Sequence, residues 1–407
     1  MRRLLLLLIL VSVPSAQAAP VETFVSPDSS FPAVSGFLDK AESSLFLASY
    51  TFSSPEITQM LLQKQRDGVE VRLIVEKSPA GGMSDYQVAA LCALYADNVT
   101  VLLYDGPLRY MHAKYVIRDG RDVLVTSENF GYSGFMPDGD YGNRGWGAIV
   151  EGEAADELLM IYKEDSADSV PFECGPGRYV LDSWNPAGAY SPVFESETFR
   201  GQQVGLICSP DSLDELLEVI GSAGESIDVE EFYIYTHWGS PSRDSVESAP
   251  SPVLDALIKK AREGVRVRIL LDSTYYEMDP ENSVSNYNTM EYVNSIASNE
   301  SIPIEARAAD LDGHGIAMLH NKGVVIDGKK VLVSSINWNE NSIMNNREIG
   351  LIIEGEAAAY YQAAFDYDWG EKPEEYGFGF WPAMLSLAAL IIVVLYFSRR
   401  KINFRVE

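Results

Sequence analysis

Three cysteines in 407 residues are too few for a disulfide framework, and none of their spacings matches a zinc site. Cys174 and Cys208 flank a central region and could bridge in an oxidising exterior, leaving Cys92 as a core residue; three free thiols fit the sequence equally. Basic residues are scarce as well: 31 Lys plus Arg face 59 Asp plus Glu, a formal charge of −28. That shortage argues against broad nucleic-acid binding, which rests on Lys and Arg neutralising phosphates, but it leaves room for a local basic groove inside an acidic shell. Histidine is nearly as rare as cysteine, at four. What remains, 46% hydrophobic and 22% charged, is the composition of a globular protein, long enough for two ordinary domains or one large duplicated unit.

Two of the four histidines stand in matching sentences. MHAKYVIRDGRDVLVTSEN (Met111–Asn129) and MLHNKGVVIDGKKVLVSSINWN (Met318–Asn339) each set a Lys two places after a His and an Asp five places later. An apolar strand and a Ser-x-Asn follow in both. The sets are His112, Lys114, Asp119, Ser127, Asn129 and His320, Lys322, Asp327, Ser335, Asn337. With the period of a strand, His and Lys share one face of the sheet. Two groups that can both be cationic are an odd pair to bury for packing alone, and an anion reconciles them. If the copies face each other, two His and two Lys surround one site, a charge pattern suited to a phosphodiester.

H-x-K-x4-D-x6-G-S-x-N is the signature of the phospholipase D superfamily, and the chain resembles a single-chain member with two copies. Thr126 and Ser334 depart from it where the family usually has Gly. The resemblance implies phosphodiester hydrolysis or transfer through a phosphohistidine, with no cofactor and no metal ion. It also implies an oriented imidazole: several members place an acid after the second motif, and here Asn346-Arg347-Glu348 supplies Glu348. The matching first-half triplet, Asn143-Arg144-Gly145, has none, so Asp138 or Asp140 is the candidate substitute. Glu348 as a plain surface acid is the alternative to that role.

The duplication extends beyond the motifs. Ser26-Pro27-Asp28 and Ser209-Pro210-Asp211 each precede a helical pattern, followed by the strands LFLASYTFS and SIDVEEFYIY. Lys64-Gln65-Arg66-Asp67-Gly68 before VEVRLIVE is matched by Lys260-Ala261-Arg262-Glu263-Gly264 before VRVRILLD, Gly ending each helix. The expected fold is a duplicated α/β sandwich with a mixed sheet and helices on both faces, its two halves related by a pseudo-twofold axis. The halves run over 21–168 and 204–370, with 169–203 a surface linker rich in Gly, Pro and Ser. Pro241 to Pro252 reads as an inserted loop near the site.

Both ends carry membrane signals. Residues 1–18 read as a signal peptide cut after Ala18, with an uncleaved anchor as the alternative. Residues 378–397 have the length of a transmembrane helix and run into Arg399, Arg400 and Lys401, which places residues 398–407 in the cytoplasm and the body outside the cell.

The resemblance also implies how the residue inventory divides. One neutral imidazole attacks phosphorus and the other, protonated, gives its proton to the leaving alcohol; His112 is the expected nucleophile and His320 the acid. Lys114 and Lys322 hold the phosphoryl oxygens, assisted by Asn129, Asn337 and the hydroxyls of Ser127 and Ser335. Asp119 and Asp327 close the motifs and suit support better than attack, and His237 and His314 read as structural. Membrane phospholipid is the expected substrate, with the aromatic run Phe232 to Trp238 available to lipid, and a monomer suffices. A metal-independent nuclease is the alternative, with nucleic acid disfavoured but not excluded.

Overall fold

The computed structural model describes residues 18–137, 141–177, 179–181 and 190–371. The proposed signal segment, Asp138, Asp140 and the proposed span at 378–397 therefore lie outside the described residues, apart from Ala18. The first half runs β1 (Ala18–Ser26), α1 (Ser30–Asp39), β2 (Ser44–Ser49), α2 (Pro55–Arg66), β3 (Glu70–Glu76), α3 (Asp85–Ala96), β4 (Thr100–Tyr104), β5 (Tyr115–Arg118), β6 (Asp122–Thr126), β7 (Gly145–Glu151), α4 (Ala154–Ala167) and β8 (Ser169–Pro171). The second runs β9 (Glu197–Ser209), α5 (Leu213–Gly221), β10 (Ser226–Glu231), α6 (Pro252–Arg262), β11 (Arg266–Leu271), α7 (Asn286–Glu300), β12 (Ile304–Ala308), α8 (Leu311–His314), β13 (Lys322–Ile326), β14 (Lys330–Ser334), α9 (Glu340–Met344), β15 (Glu348–Glu354) and α10 (Ala357–Asp368). Among the described residues no helix is long and apolar enough to cross a membrane.

Strand order is symmetric about one junction, where β1 and β9 pair antiparallel from Ala18↔Gln203 to Thr23↔Glu197. Outward from it the first half reads β1-β7-β6-β5-β2-β3-β4-β8 and the second β9-β15-β14-β13-β10-β11-β12. Only the outer trios, β2-β3-β4 and β10-β11-β12, are parallel, so each half is a mixed sheet. The repeated local signals explain the repeated elements. Ser54 and Ser251 each cap a helix that opens with Pro, and the last turns carry Lys64 and Arg66, or Lys259, Lys260 and Arg262, where the helix dipole favours cations. Gly68 and Gly264 then take φ of 92° and 95°, a turn that L side chains resist.

The linker is shorter than its composition suggested. Its first residues form β8 against β4, and its last belong to β9, a strand of 13 residues. Ala18 to Pro20 likewise belong to β1, ahead of the expected boundary at 21. These segments are strands because they pair, a long-range fact that turn-forming residues such as Gly201 conceal.

Two apolar cores fill the space between sheet and outer helices, one around Phe37, Leu61 and Leu73, the other around Leu216, Leu257 and Ile269. The third draws on both halves, with Val125 and Trp146 packed beside Val333, Leu351 and Tyr361. Trp146 and Tyr361 meet at 5.2 Å between ring centroids. Gly323, which follows Lys322 where the first half has Tyr115, lies so close under Trp146 that a Cβ would sit 2.5 Å from its Cε3. Arginines tie the halves as well: the buried Arg144 pairs with Asp28 of its own half and, at 2.9 Å, with Asp368 of the other, while the partly buried Arg347 reaches Asp165 at 2.9 Å. Removing one partner from the buried Arg144–Asp368 pair would leave an uncompensated buried charge and cost about 3–5 kcal/mol.

The cysteine expectation needs correction. Cys92 in α3 is bonded to Cys174 with Cα atoms 5.2 Å apart, and Cys208 is the free thiol, partly buried with its Sγ 3.3 Å from Arg347. Cys208 sits on β9 in the inter-half region, whereas Cys174 follows β8 at the far edge of the first half's sheet, so their flanking positions in sequence do not bring them together. Closing a loop of 82 residues stabilises the fold by about 4.5 kcal/mol in the chain-entropy account. Alkylation of the denatured, unreduced protein followed by intact mass should therefore count one thiol, and three after reduction. Three before reduction would contradict the pairing.

Candidate active site

The two motif strands begin at the inter-half junction, and their backbones are strung to the opposite half. The amide of His112 donates to Arg347 O at 2.9 Å and that of Arg347 to Tyr110 O at 2.8 Å. In the mirror arrangement, His320 N reaches Arg144 O and Arg144 N reaches Met318 O, both at 2.8 Å. A second pair of carboxylates, unnoticed in the sequence, steadies the residue ahead of each histidine. Glu76 at the end of β3 accepts from Met111 N at 2.7 Å, and Asp272, just past β11, from Leu319 N at 2.8 Å.

Side chains cross the junction in the same way. His112 Nδ1 lies 2.8 and 2.9 Å from the two oxygens of Glu348, and His320 Nδ1 lies 3.2 Å from Glu128 Oε1. Both carboxylates are buried. Glu348 is therefore no surface acid, and the first half's substitute is Glu128, the middle residue of Ser127-Glu128-Asn129. A carboxylate on Nδ1 makes that nitrogen the donor and leaves Nε2 as the free lone pair. Burial would raise the Glu348 carboxyl, but His112 and Lys114 beside it and the Ser335 hydroxyl hold it below the usual carboxylate value. Its own position is fixed by Ser335 at 2.6 Å, by Ser342 and by Asn346 at 3.0 Å.

Lys114 and Lys322 are fully buried, each donating to the carbonyl of the histidine two places before it. Tyr50 and Phe232 stand in equivalent places, 4.6 Å from the His112 ring and 5.2 Å from the His320 ring, and each also faces its own lysine. In this dry setting burial pushes Lys114 down to about 7, with Lys322 adding to the shift against Glu348. Lys322 falls to about 8 for the same first reason, opposed by Glu128, Glu231 and Glu348. Burial also lowers both imidazoles, His320 to about 4 with Lys322 reinforcing the effect. At neutral pH both rings are neutral. The side chains of His112 and His320 keep 13% and 12% exposure, so the rings are reachable from solvent.

Other expected residues divide by position. The side-chain oxygens of Asn129 and Asn337 are buried without a hydrogen-bond partner. Ser127 and Ser335 differ from expectation, since both are buried and their hydroxyls accept from Trp146 N at 3.0 Å and Ile349 N at 3.1 Å. They hold strands and, at Ser335, the acid, instead of facing the cleft. Asp119 and Asp327 lie at the far ends of their strands, roughly 16 Å along the chain from the lysines at about 3.3 Å per residue. Asp119 gathers the amides of Glu42, Ser43 and Ser44, and Asp327 those of Gly224, Glu225 and Ser226. They pin the turns before β2 and β10 and take no part in the cleft. His314 is bracketed by the carbonyls of Asp310 and Tyr367, and His237 is buried beside Thr236. The loop after Trp238 returns through Ala249, whose carbonyl accepts Trp238 N at 2.8 Å, close to the stacked Tyr233 and Tyr235.

At the two motifs the structure thus supplies two imidazoles paired through Nδ1 with carboxylates, two buried lysines and two carboxamides. The family model described as "Cardiolipin synthase, PLD-like domain" matches residues 34–162 and 216–369, and the chain belongs to that phospholipase D-like family. It is an enzyme of the phospholipase D type. Among relatives, it is 22% identical over 385 residues to the probable cardiolipin synthase YwiE of Bacillus subtilis, covering 89% of this chain and 68% of that protein. It is 23% identical to the 5'-3' exonuclease PLD4 of Homo sapiens, covering 82% and 72%. The solved phosphatidylserine synthase of Haemophilus influenzae shares the fold at a TM-score of 0.62 and 11% identity, over 88% of each chain.

Asp119 separates architecture from chemistry. Burial opposes its ionisation, yet the amides of Ser44, Ser43 and Glu42 and the Ser43 hydroxyl outweigh it and hold the carboxyl at about 2. Its contribution is present above the ordinary carboxylate value and lost as pH falls toward 2. Asp119→Ala should lower stability by about 1–2 kcal/mol, the scale of a lost cap, with kcat of the folded enzyme within a few-fold of wild type. A dead but fully stable variant would return Asp119 to the catalytic set.

Proposed function

We propose that the protein is an exported, membrane-tethered phosphodiesterase that hydrolyses or exchanges phospholipid headgroups through a phosphohistidine. The observation carrying this reading is the pairing of each imidazole, through Nδ1, with a buried carboxylate of the opposite half. His112 is the nucleophile, its carboxylate closer and itself held by three donors. Nε2 attacks phosphorus, forming the P–N bond as the P–O bond to the leaving alcohol breaks and His320 gives that oxygen its proton. His320 then takes a proton from water or a second alcohol, whose oxygen displaces His112. Water gives hydrolysis and an alcohol gives transfer.

A bound diester explains how a ring lowered to about 4 becomes an acid. Its negative charge, set beside His320 in a low-dielectric place, favours uptake of one proton by that ring. Asn129 and Asn337 join the two lysines at the phosphoryl oxygens by donating from their Nδ2 amides, where charge builds in the transition state.

Lipid is favoured over nucleic acid by charge and by location. A chain of −28 repels a polyanion over its whole surface, whereas apolar chains bind without salt screening. Export is supported by the amino-terminal pattern and by the Cys92–Cys174 bond, since disulfides persist in oxidising compartments. Tethering rests on residues 378–397, the basic tail following in the cytoplasm, and a monomer holds both motifs. A nuclease is the second reading, favoured by the likeness to the human exonuclease.

His112→Ala and His320→Ala should each abolish headgroup release from mixed membrane lipids, and excess chelator should leave the wild type active. Robust cleavage of single-stranded DNA at physiological salt, without lipid turnover, would establish the nuclease reading instead. The lysines set the alkaline limb. Both must be cationic and both are lowered by burial, so kcat/KM should fall as pH rises through about 7 to 8. A bound anion raises both, so the limb of kcat lies higher. A flat kcat/KM to pH 9.5 would exclude buried lysines as the oxygen clamps.

A further inference from the structure

We infer that Glu128 and Gly145 are a coupled exchange, in which the carboxylate that orients His320 has moved from one strand to its neighbour. The second half shows the unexchanged arrangement. Glu348 opens β15, Asn346 donates to it at 3.0 Å, and the residue between Ser335 and Asn337 is the apolar, fully buried Ile336. In the first half the residue opening β7 is Gly145, and the residue between Ser127 and Asn129 is Glu128.

Three observations place the two carboxylates in one role. A Cβ added to Gly145 would overlap the Glu128 carboxylate and come 2.6 Å from Ser127 Oγ, so the space a side chain at 145 would enter is already filled by Glu128. Asn143, the counterpart of Asn346, donates to Glu128 Oε2 at 3.1 Å, the same carboxamide serving a carboxylate from a different backbone origin. The other Glu128 oxygen meets His320 Nδ1, as Glu348 meets His112. Either change alone would fail: a lone Gly leaves His320 without its acid, and two glutamates would press like charges together in a buried place. Glu128 is thus a positioning residue, acting on phosphorus chemistry only through His320. This inference rests on the two-histidine reading of the site.

The test is a set of variants in the full chain: Glu128→Gln, Glu128→Ala, Gly145→Glu and the double variant Glu128→Ala/Gly145→Glu, with His320→Ala as reference. Glu128→Ala should lower kcat by roughly a hundredfold, the low end of what a positioned proton-transfer group contributes, with KM little changed. The double variant should recover at least about tenfold of that loss, once Ser127 Oγ turns as Ser335 does, while Gly145→Glu alone is impaired. Glu128→Gln keeps the shape and removes the charge that favours protonated His320, so the pH limb of kcat belonging to that ring should move to lower pH. A Glu128→Ala enzyme within twofold of wild type, a folded double variant no better than Glu128→Ala, or an unmoved limb in Glu128→Gln would overturn the exchange. If His320→Ala is itself active, the two-histidine reading falls; if it is dead while Glu128→Ala is not, only the exchange falls.

Discussion

Neither half of this protein owns a finished histidine. Each supplies an imidazole whose Nδ1 partner, and whose backbone acceptor, come from the other half: His112 with Glu348 and Arg347 O, His320 with Glu128 and Arg144 O. An imidazole in a sheet face would otherwise choose between tautomers that differ little in energy, and only one presents Nε2 to phosphorus. Crossing the junction makes that choice a property of the assembled pair. The β1–β9 pairing, the shared core around Trp146 and Tyr361, and the Arg144–Asp368 and Arg347–Asp165 bridges therefore serve the site directly. A slip at the junction would displace both acids at once.

The same constraint sets the electrostatics. Two lysines, two carboxylates and two rings share a volume from which most water is excluded, so each charge is paid for by an opposite one nearby. Burial lowers the two lysines toward the working pH, and a site so arranged can take up an anion and a proton together. Asp119 and Asp327, though part of the same motifs, lie outside this economy. Their carboxylates gather three amides each at the far ends of the strands and keep the motif strands in register with β2 and β10.

Much of this was legible in the sequence because it depends on local spacing. The His-x-Lys strands, the Gly-capped helices and the order of matched blocks are periodic features, and the mirrored strand order repeats them in space. Glu348 was legible because it stands at a motif offset. Glu128 was not, because its role depends on which strand lies beside Gly145, although the missing acid in Asn143-Arg144-Gly145 was itself the signal to search adjacent strands. The Cys92–Cys174 bond and the junction strand β9 were hidden for the same reason: both join residues far apart in the chain. The serine hydroxyls misled in the opposite sense, since a polar residue beside a catalytic motif can be spent entirely on backbone, as Ser127 is on Trp146 N.

The crossed imidazole–carboxylate pairs can be observed directly by nitrogen NMR of protein labelled in its four histidines, with His112→Ala and His320→Ala assigning the signals. Near pH 7 both site rings should be neutral, carry their proton on Nδ1 and leave Nε2 unprotonated, and the His112 ring should lose that preference in Glu348→Ala although the change lies in the other half. Rings protonated on Nε2, or fully charged at pH 7, would contradict the account.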